Sequence, residues 1–228
     1  VGGFPEGYFA TKALRFGTVP DRQDSNAIGI LKAKEKVFRY CALYDGIEFL
    51  GRNPPYNGLG EIGGNDFVIN MLGEIYRDGN RDDDDVAATF MHELGHTLGL
   101  RHGGANDSLG TLGPISMQGK PNYPSIMNYA LTHPMRWSRR FWTLDYSREE
   151  LGTLRENSLD ESNGIRSNLY RGYSMPYGTG PDLARRFRLV RLDGRAVDFD
   201  SDGVIADPET ASREDLNFLP AAAGIAGT

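Results

Sequence analysis

Residues 92–102, HELGHTLGLRH, constrain the fold of this chain more than any other segment. In a helix, His92 and His96 are four residues apart and therefore lie one above the other on the same face. Gly99 follows the last helical turn, where glycine can take the left-handed conformation that ends a helix and turns the chain sharply. We expect this turn to bring His102 back towards the other two histidines.

Three neutral imidazoles with one open position are typical of a catalytic zinc site. Zinc lowers the pKa of its bound water to about 7, and Glu93 is placed to accept that proton and pass it to a leaving amine. The alternative is a helix with histidines on its surface, but three of the chain's four histidines fall on H-E-x-x-H-x-x-G-x-x-H. The sequence therefore predicts that His92, His96 and His102 bind zinc, and that Glu93 is the general base and then the general acid.

The extended motif resembles that of the metzincin clan of zinc endopeptidases. Residues 125–129, SIMNY, are similar to the methionine-containing turn that this clan carries after the motif. The resemblance implies that Met127 forms an apolar floor under the three histidines. It also implies that Tyr129 helps to stabilise the oxyanion, since a phenol is a good hydrogen-bond donor to a developing negative charge. A packing aromatic in a turn is the alternative role for Tyr129.

A wider resemblance to bacterial reprolysin-like proteins covers roughly residues 11–160. Reprolysins have Asp directly after the third histidine, whereas this chain has Gly103, so the subfamily stays open. The resemblance implies that substrate lies extended along an edge strand before the active-site helix, with residues 66–72 as the candidate. It also implies a specificity pocket walled by part of residues 130–142. The similar stretches are FGTVPDR (16–22), FMHELGHTLGLRHGG (90–104), KPNYPSIMNY (120–129) and LDYSREEL (144–151).

The pattern of strands and helices along the whole chain predicts an α+β fold with a loop-rich second half. The resemblance implies a metzincin-like mixed twisted sheet with the active-site helix over a loop-rich C-terminal subdomain. We expect one catalytic domain over 1–228, with subdomains 1–99 and 100–190 and a C-terminal segment 191–228. Val86, Phe90, Leu94 and Leu98 repeat every four residues and are predicted to pin the active-site helix to the core. The predicted elements are strands over 11–19, 37–44 and 66–72, a helix over 26–36 capped by Ser25, a helix over 85–98, and a helix from Ser147, which forms a capping box with Glu150.

Residues 198–209, DFDSDGVIADPE, match the spacing of a twelve-residue calcium loop. Carboxylates two residues apart in a turning loop converge on one hard cation, and Gly203 at the sixth position permits the turn. The preceding residues predict a strand, an Asp-Gly turn and a second strand in place of the entering helix of an EF-hand. An acidic surface turn is the alternative. The predicted calcium ligands are Asp198, Asp200, Asp202, the Val204 carbonyl and Glu209.

Composition narrows the classes of partner. The chain has 228 residues, with 25 Lys and Arg, 31 Asp and Glu, and a net charge of −6, which argues against a nucleic-acid partner. No stretch approaches the roughly 18 apolar residues that span a membrane. The chain begins at Val1 without a signal-like segment, so we expect a processed or trimmed domain of a longer precursor. The resemblance to metzincin peptidases implies a secreted or periplasmic protein, with a propeptide or further domains outside this chain. The single cysteine, Cys41, is predicted to be a buried thiol.

The predicted function is therefore a zinc endopeptidase that acts on proteins or peptides. One alternative is a non-catalytic metzincin-fold module that binds a protein or glycan. Glu93 argues against it, because a binding module needs no general base. The other alternative is a zinc hydrolase of a non-peptide amide or ester, which cleavage of a peptide library would distinguish.

Overall fold

The computed structural model describes residues 4–44, 56–71, 83–104, 119–134, 138–177, 188–200, 202–205 and 216. The chain divides into two compact units with a boundary between Leu100 and Arg101. Within the described ranges, no helix is long and apolar enough to cross a membrane. The elements are α1 (Tyr8–Arg15), α2 (Val19–Gln23), α3 (Ala27–Glu35), β1 (Tyr40–Tyr44), β2 (Gly58–Gly60), β3 (Asp66–Asn70), α4 (Asp83–Thr97), β4 (Ser174–Tyr177) and β5 (Arg188–Arg191).

The first unit contains a three-stranded mixed sheet in the order β1-β3-β2. β3 is parallel to β1, with Tyr40 opposite Asp66, and antiparallel to β2, with Gly58 opposite Ile69. Every residue of β3 is buried, as its short continuous run of apolar residues indicates. The prediction of residues 66–72 as an edge strand for substrate is therefore wrong. β1 and β2 occupy the two hydrogen-bonding edges of β3, and among the described strands they are the edge strands of this sheet.

The predicted strand over residues 11–19 is also wrong, because its first part belongs to α1. Tyr8 and Lys12, one helical turn apart, are the buried residues of this helix, whereas Leu14 is 71% exposed. The Nζ atom of Lys12 lies 2.7 Å from a carboxylate oxygen of Asp66. One of the two buried positions is thus a lysine, so the apolar residues alone do not reveal the helical period.

The helix predicted over residues 26–36 is confirmed as α3, but Ser25 does not cap it. The N-cap residue is Asn26, and its side chain makes no capping hydrogen bond. The expected apolar side of α3 is not buried, since Ile28 is 75% exposed. The better cap belongs to α2, where Thr18 and Asp21 each accept a hydrogen bond from the other's backbone N–H.

The second unit has little regular structure. Its strands β4 and β5 pair antiparallel, with Met175 opposite Val190. The predicted second strand after the Asp-Gly turn is absent, because β5 pairs with β4 and Asp193 forms only an isolated bridge with Arg166. Most of the core comes from loop residues. Its buried members include Leu131, Leu151, Leu159, Tyr170, Met175, Tyr177, Leu192, Phe199 and Leu216.

No helix begins at Ser147, contrary to the prediction from its capping box. The Ser147 hydroxyl donates to the backbone carbonyl of Glu149 at 2.8 Å. The Glu149 carboxylate in turn accepts hydrogen bonds from the Ser167 hydroxyl and from the N–H groups of Asn168 and Leu169. A local hydrogen bond from a serine side chain to the backbone is an alternative to a helical cap, and Ser147 makes such a bond here.

Candidate metal centre

The helix α4 carries the first two histidines and buries the face on which they lie. Three aspartates in its first turn complement the positive end of the helix dipole. The predicted apolar stripe is not the buried face, since Phe90 is 42% and Leu98 54% exposed, and Val86 and Leu94 are half-buried. α4 packs against β2 and β3. Its buried residues are Ala88, Thr89, His92, Glu93, Gly95, His96 and Thr97.

Two glycines let β2 lie directly against Glu93. A Cβ atom on Gly58 would stand 2.6 Å from Cγ of Glu93. A Cβ atom on Gly60 would stand 2.6 Å from the Glu93 carbonyl oxygen and 2.9 Å from Cβ of His96. Side chains cannot approach so closely, so this strand requires glycine on that face. Alternate glycines in the sequence G-L-G are the signal, which sequence reasoning missed.

The predicted glycine turn after α4 is confirmed. Gly99 has a φ of 89°, and its N–H donates to the carbonyl of His96 at 2.8 Å. The N–H of Leu100 donates to the carbonyl of Gly95 at 2.9 Å, which completes a Schellman motif. Gly63 donates a further hydrogen bond to His96 at 2.9 Å. The end of the helix is thus fixed by its own backbone and by the turn between β2 and β3.

His92, His96 and His102 each offer one ring nitrogen, and the three nitrogens lie within 4.8 Å of one another. The three side chains are 4%, 4% and 5% exposed. Nδ1 of His96 lies 2.9 Å from the Leu100 carbonyl oxygen. Because a carbonyl only accepts, Nδ1 carries the proton and Nε2 is left as the nitrogen that can bind a metal. This donor set fits zinc, and the residues predicted as its ligands are brought together.

Glu93, next to the first histidine, is 7% exposed. Burial raises the pKa of its carboxyl group to about 8, because desolvation disfavours the charged form. A divalent cation close by would oppose this shift, since an opposite charge favours the carboxylate. A cation bound by the three histidines would therefore favour the carboxylate, which is the form of Glu93 that can accept a proton.

Residues 125–129 form a tightly hydrogen-bonded turn in the second unit. The Asn128 amide donates to the carbonyls of Lys120 and Tyr123 at 2.7 and 2.8 Å. Met127 is completely buried, and its position under the histidines stays a prediction. Tyr129 is half-buried, with its ring centroid 4.3 Å from that of His102. It is thus a neighbour of one predicted zinc ligand.

The position that departs from the reprolysin pattern, Gly103, is buried. Its carbonyl oxygen accepts a hydrogen bond from Nζ of Lys120 at 2.8 Å. In the predicted specificity-pocket segment, His133 is 8% exposed, whereas residues 135–137 lie outside the described residues.

The predicted calcium loop is brought together only in part. Asp198 and Asp200 each offer an oxygen to a group that also contains Glu161, with the three oxygens within 4.8 Å of one another. Asp202 does not belong to this group: its Oδ1 accepts the Val204 N–H at 2.7 Å, and Val204 is 48% exposed. Gly203 has the expected positive φ, 87°, while Glu209 lies outside the described residues. Glu161 was missed because nothing in its own sequence surroundings indicates the contact.

Residues 57–135 match the model of a protein family described as metallo-peptidase family M12B, reprolysin-like. The matched segment includes β2, β3, α4, the three histidines and the methionine-containing turn. Comparisons with curated proteins and with solved structures found no match. A mixed α+β architecture with a small mixed sheet is compatible with a domain of this kind.

Proposed function

Residues 57–135 match a reprolysin-like metallopeptidase family, and from this premise we propose that the chain is a zinc endopeptidase of the metzincin type. The match by itself supports a zinc metallopeptidase with protein or peptide substrates. The observation that carries the finer proposal is local: three buried imidazoles face one another, with the Glu93 carboxyl next to the first. A binding module would not need a general base at this position.

In the proposed mechanism, His92, His96 and His102 hold the zinc ion. Zinc in such a site polarises the scissile carbonyl and lowers the pKa of a coordinated water to about 7. Glu93 accepts the proton of the attacking water and delivers it to the leaving amine. The Tyr129 hydroxyl donates a hydrogen bond to the oxyanion as negative charge develops there.

The substrate chain is proposed to pair with β2, which is an edge strand among the described residues and lies next to Glu93. An edge strand offers unpaired N–H and C=O groups, and an extended peptide adds to such an edge through main-chain hydrogen bonds. Gly58 and Gly60 bring this edge to the Glu93 side chain, so a peptide bound there would pass close to the proposed general base.

The test compares the wild type with Glu93→Gln, which keeps the side-chain shape but cannot accept the proton. Both proteins are expected to hold about one zinc ion per chain by metal analysis. Cleavage of a casein-type substrate should fall about 10²- to 10⁴-fold in the variant and disappear in both after chelation of zinc. Equal cleavage by the two proteins would overturn the proposed mechanism. Zinc binding without cleavage of any peptide in a library would favour a binding module or a non-peptide substrate.

The role of Tyr129 has its own test. If its hydroxyl donates to the oxyanion, Tyr129→Phe should lower kcat by about 10²-fold and leave KM and the zinc content unchanged. If Tyr129→Phe kept the wild-type kcat, the role of Tyr129 would be limited to packing its ring against His102.

Three further expectations remain proposals. We propose that residues 1–228 form one catalytic domain, that the protein works outside the cytoplasm, and that calcium is a second cofactor. The first two rest on the resemblance to metzincin peptidases. Detection of the native protein in the medium or periplasmic fraction of its source would test the location. The calcium proposal has structural support of its own, independent of the zinc site.

A further inference from the structure

Glu161 is a carboxylate with no exposed surface in a core of apolar side chains. Its neighbours in sequence and space include Leu159 and Phe199, which are 2% and 3% exposed. Its Oε1 accepts the backbone N–H groups of Phe199 at 2.5 Å and of Asp200 at 3.2 Å. Its Oε2 is buried and has no hydrogen-bond partner among the described residues. One oxygen of this carboxylate is therefore hydrogen-bonded by the acidic loop, the segment that contains Asp198, Asp200 and Asp202. The other oxygen has no hydrogen bond among the described residues.

A second buried oxygen in the same place also lacks a partner. Oδ1 of Asp198 makes no hydrogen bond within the described part of the chain, whereas Oδ2 accepts the Gly203 N–H at 3.2 Å. Oxygens of Glu161, Asp198 and Asp200 lie within 4.8 Å of one another. Burial of a charge is costly unless it is paired or coordinates a metal, and carboxylates at this separation repel one another. The cluster therefore requires a positive charge or a shared proton.

The backbone holds the two segments of this cluster firmly together. The Val197 N–H donates to the Glu161 carbonyl at 2.8 Å. A Cβ atom on Gly164 would stand 2.0 Å from the Arg195 carbonyl oxygen, so only glycine allows this approach. The guanidinium of Arg188 donates to the main-chain oxygen of Asp198 at 3.4 Å. That contact is to the backbone of Asp198, and among the described residues the two buried carboxylate oxygens still lack a hydrogen bond.

We propose that Glu161, Asp198 and Asp200 bind a calcium ion, with Glu161 as the buried ligand that the linear loop pattern does not contain. All three donors are carboxylate oxygens, which suit a hard cation better than they suit zinc. Asp198 and Asp200 take the first and third positions of the calcium-loop spacing, and the turn at Gly203 has the conformation that such a loop requires. The ion would fasten the acidic loop to the segment around Glu161.

The test measures calcium binding and thermal unfolding on the whole chain, freed of calcium by a chelating resin and reloaded with zinc. Isothermal titration with CaCl₂ is expected to give one site per chain. Calcium at about 100 times its Kd should raise the Tm of the wild type by about 5 to 10 °C. Glu161→Gln should weaken calcium binding about 10- to 100-fold and remove most of the rise in Tm.

The same variant should have the opposite effect without calcium. The oxygen of the introduced amide can keep both backbone hydrogen bonds, and its NH₂ group can donate to Asp198, so no buried charge is left unpaired. We therefore expect the calcium-free variant to have a Tm equal to or above that of the calcium-free wild type. If the carboxylate of Glu161 had a purely structural role, Glu161→Gln would lower the Tm by the same amount with and without calcium.

Asp160→Asn is the matched control. It removes one negative charge from the adjacent residue, whose carboxylate accepts hydrogen bonds from Ser162 and Asn163 and lies outside the cluster. This variant should bind calcium like the wild type. Asp198→Asn provides a second loss-of-binding variant if Glu161→Gln does not fold. The proposal is overturned if the wild type binds no calcium, or if Glu161→Gln and Asp160→Asn respond to it alike. Neither outcome affects the zinc peptidase proposal, since neither readout is peptidase activity.

Discussion

At the scale of single residues, Gly60 sets how closely the edge strand approaches Glu93. An added methyl group would meet the Glu93 backbone oxygen, which cannot rotate away as a side chain can. We predict that Gly60→Ala destabilises the protein by about 1 to 3 kcal/mol, as overpacking typically does. It should also lower kcat by displacing the carboxyl group from its position. Urea unfolding and peptidase kinetics would measure the two effects.

Gly152→Ala is the control for this substitution. A methyl group at Gly152 would meet no atom within 4 Å. The free energy of unfolding of Gly152→Ala should therefore stay within about 0.5 kcal/mol of the wild-type value. If Gly60→Ala and Gly152→Ala were indistinguishable in both stability and kcat, the close approach of β2 to Glu93 would have no energetic consequence.

Cys41 offers a second test at this scale. The residue pairs with Phe67 between β1 and β3, and burial raises the pKa of its thiol to about 12, above the usual 9.0. Only the thiolate reacts with alkylating reagents, so alkylation of the folded protein near pH 8 should be about 10²- to 10³-fold slower than in urea. Mass spectrometry would follow the labelling. The residue was predicted to be buried but is half-buried in the structure. A rate in the folded protein close to that in urea would show that this partial burial does not protect the thiol.

At the scale of elements, one buried ion pair fastens α1 to the centre of the sheet. Lys12 and Asp66 are 8% and 5% exposed, and the Tyr8 hydroxyl also contacts Asp66 at 3.2 Å. Lys12→Met would leave the Asp66 charge buried without its cation. We predict a loss of about 3 to 5 kcal/mol in the free energy of unfolding, measured in urea. Adding Asp66→Asn should restore part of it, because the two changes are coupled. A loss in Lys12→Met below about 1 kcal/mol would contradict this role.

The same ion pair explains why the sequence pattern did not predict α1, although it predicted α4. α4 was predicted within two residues at its first end because it is long and its motif fixes a helical spacing. α1 was missed because one of its inward positions is Lys12, which is buried only through Asp66. The order of the strands is a tertiary property, so the pattern of residues 66–72 identified a strand but not its central place.

The candidate metal centre was predictable for a related reason. His92, His96 and His102 are joined by one helix and one glycine turn, so their spacing determines their geometry almost locally. Gly60 and Glu161 act through contacts between segments that are distant in sequence. No local pattern encodes such contacts, and only the folded chain reveals them.

At the scale of the whole molecule, hydrogen-bonded carboxylates in both units tie stability to pH. In the first unit, the Lys34 ammonium and the Thr18 N–H hold the pKa of Asp21 at about 2, below its usual 3.8. In the second unit, the Ser167 hydroxyl and the N–H groups of residues 168 and 169 lower the pKa of Glu149 from its usual 4.5. The folded chain therefore binds fewer protons at these sites than the unfolded chain. This contribution is complete above the unfolded pKa values and is lost as the pH falls through the folded ones.

The final prediction follows from that sign. The urea midpoint of the wild type should fall as the pH is lowered from about 5 towards 2, as these carboxylates take up protons. Glu149→Gln should lower the midpoint at neutral pH and flatten its decline in acid, because the variant has no charge left to lose at that site. Glu150→Gln, which removes the same charge from the exposed neighbouring residue, is the matched control. If Glu149→Gln had the same acid profile as Glu150→Gln, the hydrogen bonds of Glu149 to residues 167–169 would not contribute to stability. The acid sensitivity of the second unit would then have to come from other carboxylates.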